Sequence, residues 1–464
     1  MITSPEEFMN FEEKNNMFEK KIHGIFYWHL IRFELYSHIL CIQLNHKSRH
    51  PDLEFSKKAH LKSVINLLLN SIKNCRRKVD KNRILISGSS AKSNKKIELI
   101  IGLGQDKFVY LNRPANYLHE IVPQNTQMIY PDFIEFLRGC SIVLEQHNAF
   151  LKKAVKEEIK EWIETLNQDL GIYIDFNTVE RMVIYAYVSV KVLCPYFNRL
   201  LKKINPSRIV IDTYYERFNL ALILSAKKLG IEVDEYQHGT INKCHIAYNL
   251  KRLHDRYLPD HFLLFGDYWR DTLIFPDKNR MIIAGSLEME KRTLTHSFKN
   301  LDTSTKTILF ISQGPYTDYM YPFAVSLADH LDKKNIKYKI LYKLHPNEIY
   351  SWKTLHKEYC DERIVLETGN LYDLFETVDY QIGINSTAIF EGFAFKKITM
   401  IIDCDYLAES EMREVCEQGY ATLVRDAKDV ENVIRSNDHN CPDSDYFWYR
   451  NAEDAYKKYF KIQE

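Results

Sequence analysis

The chain has 464 residues, with 63 Lys and Arg against 62 Asp and Glu and a formal net charge of +1. This length exceeds what one ordinary domain core supports, so two or three domains are expected. Hydrophobic residues make up 45% of the chain and charged residues 27%. These fractions exclude a mostly disordered protein, and the balanced charge argues against a nucleic-acid partner.

The cysteines and the N-terminal residues indicate the compartment. Nine cysteines are scattered through the chain, and none forms a C-x-x-C pair, so neither a disulfide framework nor a zinc site is expected. The N-terminus is acidic and polar, and no apolar stretch reaches the ~18 residues that a membrane-spanning helix needs. We therefore expect a cytoplasmic protein without a signal peptide or transmembrane helix.

The first part of the chain is predicted to be helical over residues 17–70, with a basic run after it. We interpret this run as a solvated helix end, or alternatively as a contact for an anionic membrane or a phosphorylated acceptor. It comprises Lys73, Arg76, Arg77, Lys78, Lys81 and Arg83. Strands are predicted at residues 83–87, 97–102 and 107–111, the first followed by the turn Gly88-Ser89-Ser90, and helices at 150–170 and 178–204.

Two series of alternating strands and helices follow. In the first, a strand at 208–212, a helix at 218–229 ending at Gly230 and a strand at 231–236 form a right-handed parallel βαβ unit. In the second, strands are predicted at 307–311, 338–344, 364–366, 380–384 and 399–402, with helices at 321–334, 372–377 and 387–395. This alternation predicts two doubly wound parallel sheets that face a cleft, with ligands at the carboxyl ends of the strands.

The first candidate site follows the strand at 231–236, in Tyr236-Gln237-His238-Gly239-Thr240, with Lys243 close behind. Gly239 lets the backbone approach a ligand, and His238 is a candidate general base toward an acceptor hydroxyl. The alternative is a histidine that only hydrogen-bonds its own loop. Asp212, at the end of the strand at 208–212, is a second candidate base, although capping or turn formation is the commoner role of such an aspartate.

The second candidate site is Lys343-Leu344-His345-Pro346. Pro346 favours an extended conformation at His345, which could then donate a proton or a hydrogen bond to a departing phosphate. Lys343 could add positive charge, unless strand alternation points it elsewhere. A simple His-Pro turn is the alternative.

The third candidate site combines two loops of the same half. Asn385-Ser386-Thr387 begins a helix, whose N-terminus suits a phosphate, and Glu391 one turn later could bind ribose hydroxyls. Gln313 and Gly314, in Ser312-Gln313-Gly314-Pro315, follow the first strand of this half. Because these groups can stabilise a phosphate without a metal, we discount Asp403-Cys404-Asp405 as a D-x-D metal motif and expect neither metal nor cofactor.

At these residues the chain resembles the GT-B-fold glycosyltransferases of bacterial capsule and lipopolysaccharide synthesis that use CMP-activated sialic acid or Kdo. It is also similar to CDP-glycerol glycerophosphotransferases. The similarity covers roughly residues 205–405, with a fainter Trp/Arg pattern at Trp28 and Arg32. The matching motifs are His238-Gly239-Thr240 with Lys243, His345-Pro346, and Ser386-Thr387. A family stretch between domains is matched by residues 259–266 and 282–285.

The resemblance implies that His345 assists departure of the cytidine phosphate, that Ser386 and Thr387 bind this phosphate, and that His238 lies near the acceptor. Gln237 stands where the polyol transferases have an aromatic residue, which favours a sugar donor. Implied domains are residues 1–285 on the acceptor side with extra N-terminal helices, 286–435 for the nucleotide donor, and 436–464 as a helix returning to the first domain. The expected partners are a nucleotide-activated sugar and a glycan or lipid-linked glycan.

The sequence leaves two other functions open. One is a phosphotransferase that moves a polyol phosphate from a CDP-linked donor. The other is a non-catalytic subunit that binds a nucleotide sugar or a glycan. Peripheral contact with the inner face of the cytoplasmic membrane is a further expectation.

Overall fold

The computed structural model describes residues 3–43, 79–88, 91–113, 126–294, 304–346, 348–349, 352, 358–404, 411–436 and 443–463. The chain forms two compact units: Met1–Leu264, Leu273–Ile282 and Tyr456–Glu464 make up the first, and Phe265–Thr272 and Ile283–Ala455 the second. The domain boundaries at 285/286 and 435/436 stay predictions.

The first unit is built on a seven-stranded sheet with the order β5-β4-β3-β6-β7-β8-β9. The pairings from β5 to β8 are parallel. Its strands are β3 (Ile84–Ser87), β4 (Phe108–Leu111), β5 (Gln127–Ile129), β6 (Arg208–Ile211), β7 (Val233–Tyr236), β8 (His261–Leu264) and β9 (Met281–Ile283). An antiparallel hairpin of β1 (Lys21–Ile22) and β2 (Ile25–Phe26) precedes it.

Seven described helices accompany the first sheet. They are α1 (Pro5–Lys14), α2 (Trp28–Gln43), α3 (Ala91–Gly102), α4 (Asp132–Glu145), α5 (Ala149–Leu170), α6 (Phe176–Ile204) and α7 (Arg217–Lys228). The long helix α6 packs against α7, α4, α5 and α2. Its inner face is apolar because residues such as Val179, Val183 and Phe197, all fully buried, recur at helical spacing.

The second unit is built on a six-stranded sheet in which every pairing is parallel. Its order is β12-β11-β10-β13-β14-β15. The strands are β10 (Lys306–Ile311), β11 (Tyr338–Lys343), β12 (Ile364–Glu367), β13 (Tyr380–Gly383), β14 (Ile398–Ile402) and β15 (Thr422–Val424). The central strands are apolar on both faces, as expected of parallel strands with helices on both sides.

The described helices of the second half of the chain alternate with these strands. They are α8 (Asp267–Asp271), α9 (Leu287–Leu294), α10 (Thr317–Lys333), α11 (Leu371–Phe375), α12 (Thr387–Ala394), α13 (Glu411–Glu417), α14 (Ala427–Arg435), α15 (Ser444–Phe447) and α16 (Ala452–Phe460). The fold class predicted from the sequence, two doubly wound parallel sheets with extra N-terminal helices, is confirmed by the two sheets.

Two predicted elements of the first unit are wrong. The predicted helix 17–70 begins only at Trp28, because His23 and Gly24 adopt positive φ angles of 46° and 81° and turn the chain into a hairpin. Residues 44–70 lie outside the described residues, as do Lys73–Lys78 of the basic run and Ser89-Ser90 of the predicted turn. The predicted strand 97–102 belongs to α3, because Ile97, Ile100 and Ile101 bury one helical face.

A buried acidic residue organises the amino end of the first sheet. Asp234 on β7 is fully buried and accepts hydrogen bonds from Arg208 (2.7 Å) and from His261 Nδ1 (3.0 Å). The hydrogen bond to Asp234 raises the pKa of His261. Tyr459, near the end of α16, receives a hydrogen bond from Arg208, whose guanidinium lies 4.8 Å from its ring centroid. The C-terminal residues are thereby fixed to the first sheet.

Candidate functional site

The carboxyl edge of the second sheet contains a topological switch point. The chain leaves β10 toward β11 on one side and later returns to pair β13 on the other side. The chain therefore leaves β10 and β13 toward opposite edges of the sheet, and doubly wound sheets bind ligands at the carboxyl ends of the strands beside such a point. Gln313 and Gly314 lie in the first loop, and Ser386 and Thr387 follow the second strand.

Strand register brings three candidate loops to one level. Ile311 pairs with Lys343, and Phe310 pairs with Ile382, so Gln313, His345 and Asn385 follow at equal distance along their chains. The backbone N–H of Asn385 donates to Gln313 Oε1 at 3.3 Å, which ties two of the loops together. Since neighbouring strands lie about 4.8 Å apart, the loops after β11 and β13 are separated by roughly 10 Å.

Helix α12 presents its N-terminus at this edge. Ser386 is the N-cap, and its hydroxyl accepts from the backbone N–H of Ala388 at 3.3 Å. Gly383 brings the strand close to the helix, since a Cβ atom there would lie 2.7 Å from Ile389 Cδ1. The partial positive charge and the N–H groups of the first turn favour an anion beside Ser386 and Thr387.

A buried glutamate fixes the turn that carries His345. Glu348 is 4% exposed, and its Oε2 accepts from the backbone N–H of His345 at 2.9 Å. Its Oε1 accepts from the hydroxyls of Ser312, at 3.1 Å, and Thr317. One carboxyl group thereby joins the loop after β10, the start of α10 and the His-Pro turn, and leaves the His345 side chain exposed.

Sequence reasoning missed Glu348. The signal that could have found it is the spacing His345-Pro346-x-Glu348. The N–H of Glu348 donates to the carbonyl of His345 at 2.8 Å, while the carboxyl group of Glu348 accepts from the N–H of His345. The bond from the carboxyl group back to the N–H three residues earlier is one half of a capping box, while the other bond is an ordinary backbone turn.

The remaining predicted residues of this unit have defined surroundings. Lys343 is 9% exposed, and its Nζ donates to the carbonyl oxygen of Leu344 at 2.8 Å. Burial lowers the pKa of Lys343. Glu391 forms a side-chain hydrogen bond with Tyr372, whose pKa is raised by burial and by the charge of Glu391. Pro346 is exposed next to His345.

Only one of the two aspartates of the D-x-D motif lies within the described residues. Asp403 Oδ1 lies 3.0 Å from Arg413 Nη2, and Asp405 lies outside the described residues. Within the described part of the chain, no group of three or more His, Cys, Asp or Glu side chains could hold a metal ion. Metal independence stays a prediction.

The first sheet has its own switch point between β3 and β6. Asp212 follows β6 and is 1% exposed. His238 follows the neighbouring strand β7, and its ring is held between two tyrosine hydroxyls. Tyr215 Oη lies 3.3 Å from His238 Nε2, and Tyr248 Oη lies 3.3 Å from His238 Nδ1.

Two further titratable groups complete this His238 cluster. Glu235, on β7, is 1% exposed, and its Oε1 shares a hydrogen bond with the Tyr248 hydroxyl and lies 3.8 Å from His238 Nδ1. Burial and the charge of Asp212 raise the pKa of Glu235 well above its ordinary value. Burial lowers the pKa of His245 to about 3. The sequence signal for Glu235 was a charged residue in a central strand, where such residues are rare.

Three predicted acceptor-side residues belong to the turn that follows β7 and contains His238. Gln237 is 2% exposed, and its Nε2 donates to the carbonyl oxygen of Gly239 at 2.7 Å. Lys243 is exposed at the end of the turn. Lys96 of α3 donates to the carbonyl oxygen of His238 at 2.8 Å. Gln237 therefore shapes the turn, while Lys243 is available to solvent.

The residues of the Trp/Arg pattern near the N-terminus hold the loop of the His238 cluster that carries His245 and Tyr248. Glu12 and Arg32 form a buried ion pair with exposures of 1% and 3%, and Trp28 Nε1 donates to Glu12 Oε1 at 2.6 Å. Arg32 also donates to the carbonyl oxygens of Ile246 and, at 2.8 Å, Asn249. The loop that carries His245 and Tyr248 is thus held by side chains of α1 and α2.

No protein-family model matches the chain, and no curated protein is detectably similar to it. The chain is similar in structure to the UDP-GlcNAc 2-epimerase from Methanocaldococcus jannaschii, with 13% identity, a TM-score of 0.48, and coverage of 82% of this chain and 100% of that one. MurG from Acinetobacter baumannii has 9% identity and a TM-score of 0.43, with coverage of 82% of this chain and 99% of that one. Spinosyn rhamnosyltransferase SpnG, complexed with thymidine diphosphate, has 11% identity and a TM-score of 0.41, with coverage of 82% of this chain and 95% of that one.

These identities and TM-scores are low, so the functional proposal rests on the residues of the two sheets. The structure groups the predicted residues into two sets, each within one unit. Gln313, Gly314, His345, Pro346, Ser386 and Thr387 lie in the loops at the carboxyl edge of the second sheet. Asp212, Gln237, His238 and Gly239 follow adjacent strands of the first sheet. No described helix is long and apolar enough to cross a membrane.

Proposed function

We propose that the chain is a glycosyltransferase that takes a sugar from a nucleotide-activated donor bound at the carboxyl edge of the second sheet. The observation that carries this proposal is the convergence of three loops and a capped helix N-terminus at the switch point of that sheet. The loop after β10 lies between the loops after β11 and β13, so a phosphate bound at this edge of the sheet can contact all three. Two doubly wound sheets in one chain also agree with the GT-B resemblance.

Each donor-site residue has a proposed role. Ser386, Thr387 and the first-turn N–H groups of α12 bind the phosphate, and Gln313 and Gly314 line the opposite wall. His345 donates a proton to the departing phosphate oxygen as the bond between that oxygen and the sugar breaks. Lys343 supports the turn through its bond to Leu344, and Glu391 is proposed to bind ribose hydroxyls.

The first unit is proposed to serve the acceptor. The acceptor hydroxyl attacks the anomeric carbon and loses its proton to a base, for which His238 and Asp212 are the candidates. Both follow neighbouring strands of the first sheet, as catalytic groups of parallel sheets commonly do. Lys243, exposed beside the turn, is proposed to contact the acceptor, while Gln237 and Gly239 keep the turn in shape.

The finer proposal is a cytidine-activated donor, CMP-linked, and a surface polysaccharide acceptor. It is supported by the resemblance carried by His345-Pro346 and Ser386-Thr387. Product analysis with CMP-, CDP- and UDP-linked donors tests it. Release of CMP with a new glycoside supports the proposal, and a phosphodiester product would instead identify a polyol phosphotransferase. Donor binding without transfer or hydrolysis would identify a binding subunit.

His345→Ala is the decisive variant for this chemistry. Loss of a general acid is expected to slow donor turnover by about 100-fold or more. His147→Ala, at an exposed histidine outside both candidate sites, is the matched control and should retain full turnover. Equal turnover of both variants would remove His345 from the mechanism.

Contact with an anionic membrane is a further part of the proposal. Helix α4 and the start of α5 turn a row of apolar side chains outwards: Phe133, Phe136, Val143, Leu144 and Phe150. Lys153, 76% exposed, lies one turn after Phe150 and pairs with Glu157 at 3.9 Å. The row of exposed apolar side chains favours contact with a lipid surface. The double variant Phe136→Ser with Leu144→Ser should lose sedimentation with anionic vesicles, whereas Tyr173→Ser, at another exposed site, should not. A wild-type protein that ignores such vesicles would contradict this part.

A further inference from the structure

Three groups in the first unit stand in a row. The buried carboxyl group of Glu235 contacts the Tyr248 hydroxyl, and the oxygen of that hydroxyl lies 3.3 Å from His238 Nδ1. The other ring nitrogen of His238 faces Tyr215 Oη, also at 3.3 Å. The tyrosine hydroxyl has a single proton, so it can donate to only one of these two neighbours and must accept from the other.

We propose that the ionisation state of the Glu235 carboxyl group, transmitted through the Tyr248 hydroxyl, selects which ring nitrogen of His238 carries the proton. An ionised Glu235 only accepts, so Tyr248 donates to it and accepts a hydrogen bond from His238 Nδ1–H, which leaves Nε2 unprotonated and facing the Tyr215 hydroxyl. A protonated Glu235 donates to Tyr248, which then donates to Nδ1, and the ring proton stays on Nε2. Glu235 and Tyr248 are positioning residues in this account.

The surroundings favour a protonated Glu235. The carboxyl group faces the charge of Asp212 from β6, the backbone N–H of Tyr214 and the hydroxyl of Tyr248, and burial with the charge of Asp212 raises its pKa. Around His238 lie Tyr215, Tyr248 and His245. The lowered pKa of His245 keeps that ring neutral near pH 7, so it adds no charge there. The resting cluster therefore holds the His238 proton on Nε2.

The consequence for transfer rests on the acceptor-side function proposed above. With the proton on Nε2, His238 is a hydrogen-bond donor at that nitrogen, and Asp212 is left as the base. With Glu235 ionised, the unprotonated Nε2 can take the proton of an acceptor hydroxyl that displaces the Tyr215 hydroxyl. The catalytic role of His238 then depends on a residue that the acceptor never touches.

The test is the tautomer of His238, read from long-range ¹H–¹⁵N correlations of protein labelled at histidine, over the whole pH range in which the protein stays folded. The wild type should change from an Nε2–H to an Nδ1–H pattern as Glu235 ionises. Glu235→Gln cannot ionise and Tyr248→Phe breaks the row, so both variants should lack this change. The result that overturns the proposal is a wild type without the change, or either variant with it.

Tyr214→Phe is the matched control. This substitution removes a buried hydroxyl of the same cluster. That hydroxyl donates to the carbonyl oxygen of Ala247 and not to His238, so the variant should still show the change of tautomer seen in the wild type. Loss of the change in this control would show that any disturbance of the cluster suffices, which also overturns the proposal. The signals of His261, in the same unit, report whether each variant is folded. The experiment uses neither donor nor acceptor, so its failure is distinct from failure of the proposed function.

Discussion

Glu348→Gln tests the link between the fold of the second unit and its candidate donor site. The carboxyl group accepts from the N–H of His345, at 2.9 Å, and from the hydroxyls of Ser312 and Thr317. An amide has only one acceptor oxygen, so either orientation places an NH₂ group against at least one of these donors. The substitution changes no volume and therefore isolates the hydrogen bonding.

The expected loss of unfolding free energy follows from the burial of the Glu348 carboxyl group and of the groups that donate hydrogen bonds to it. A hydrogen bond to a charged group contributes about 1.5–3 kcal/mol, and the partner left buried costs a similar amount when it finds no other acceptor. We expect the second unit to lose about 2–3 kcal/mol of unfolding free energy. For a domain of this size that corresponds to a melting temperature lower by roughly 4–12 °C.

The same substitution should weaken nucleotide binding, because Glu348 joins the loop that follows β10 to the loop that follows β11. We expect a dissociation constant at least about tenfold higher, equivalent to about 1.4 kcal/mol. Scanning calorimetry and nucleotide titration measure the two effects. Glu362→Gln, at an exposed position of the same unit, is the control. If Glu348→Gln matches Glu362→Gln in both assays, the positioning role of Glu348 is refuted.

Two further predictions concern the first unit. Glu12→Gln should lower its unfolding free energy by about 3–5 kcal/mol in chemical denaturation, because it leaves the buried guanidinium of Arg32 without its counter-charge, and the exposed Glu6→Gln should change nothing. A raised pKa means that His261 stabilises the fold below its unfolded pKa, and that this contribution is lost as pH rises through the folded value. The stability lost in His261→Gln should therefore be larger at acid pH than at alkaline pH, and a pH-independent difference would contradict the bond to Asp234.

The sequence predicted the second sheet better than the first, for a physical reason. Strands such as β10 and β13 are short apolar runs bounded by turns, and helices of regular length separate them. In the first unit, the helix α3 ends in the apolar residues of its buried face, which look like a strand when read alone. The hairpin at His23 and Gly24 depends on positive φ angles at both residues, and only a few per cent of non-glycine residues adopt such an angle.

The candidate residues divide in the same way. Ser386, His345 and His238 follow strands directly, so their place at a carboxyl edge could be predicted from the alternation of elements. The roles of Glu348 and Glu235 were harder to assign, because they depend partly on groups in other loops and elements: Ser312 and Thr317 for Glu348, and Tyr248 for Glu235. Such contacts depend on how loops fold back, which hydrophobic periodicity does not encode.

A calorimetric titration shows whether a nucleotide binds at the start of α12. CMP, CDP, UDP and GDP are each titrated into the wild-type protein, Ser386→Ala and Ser326→Ala. Ser326 is exposed on α10 and serves as the control. We expect CMP to bind more tightly than the other three nucleotides. Ser386→Ala should weaken this binding by about 10-fold or more, because one bond to a charged phosphate is lost, whereas Ser326→Ala should not weaken it. Absence of binding by every nucleotide, or equal binding by both serine variants, would contradict a donor site at the start of α12.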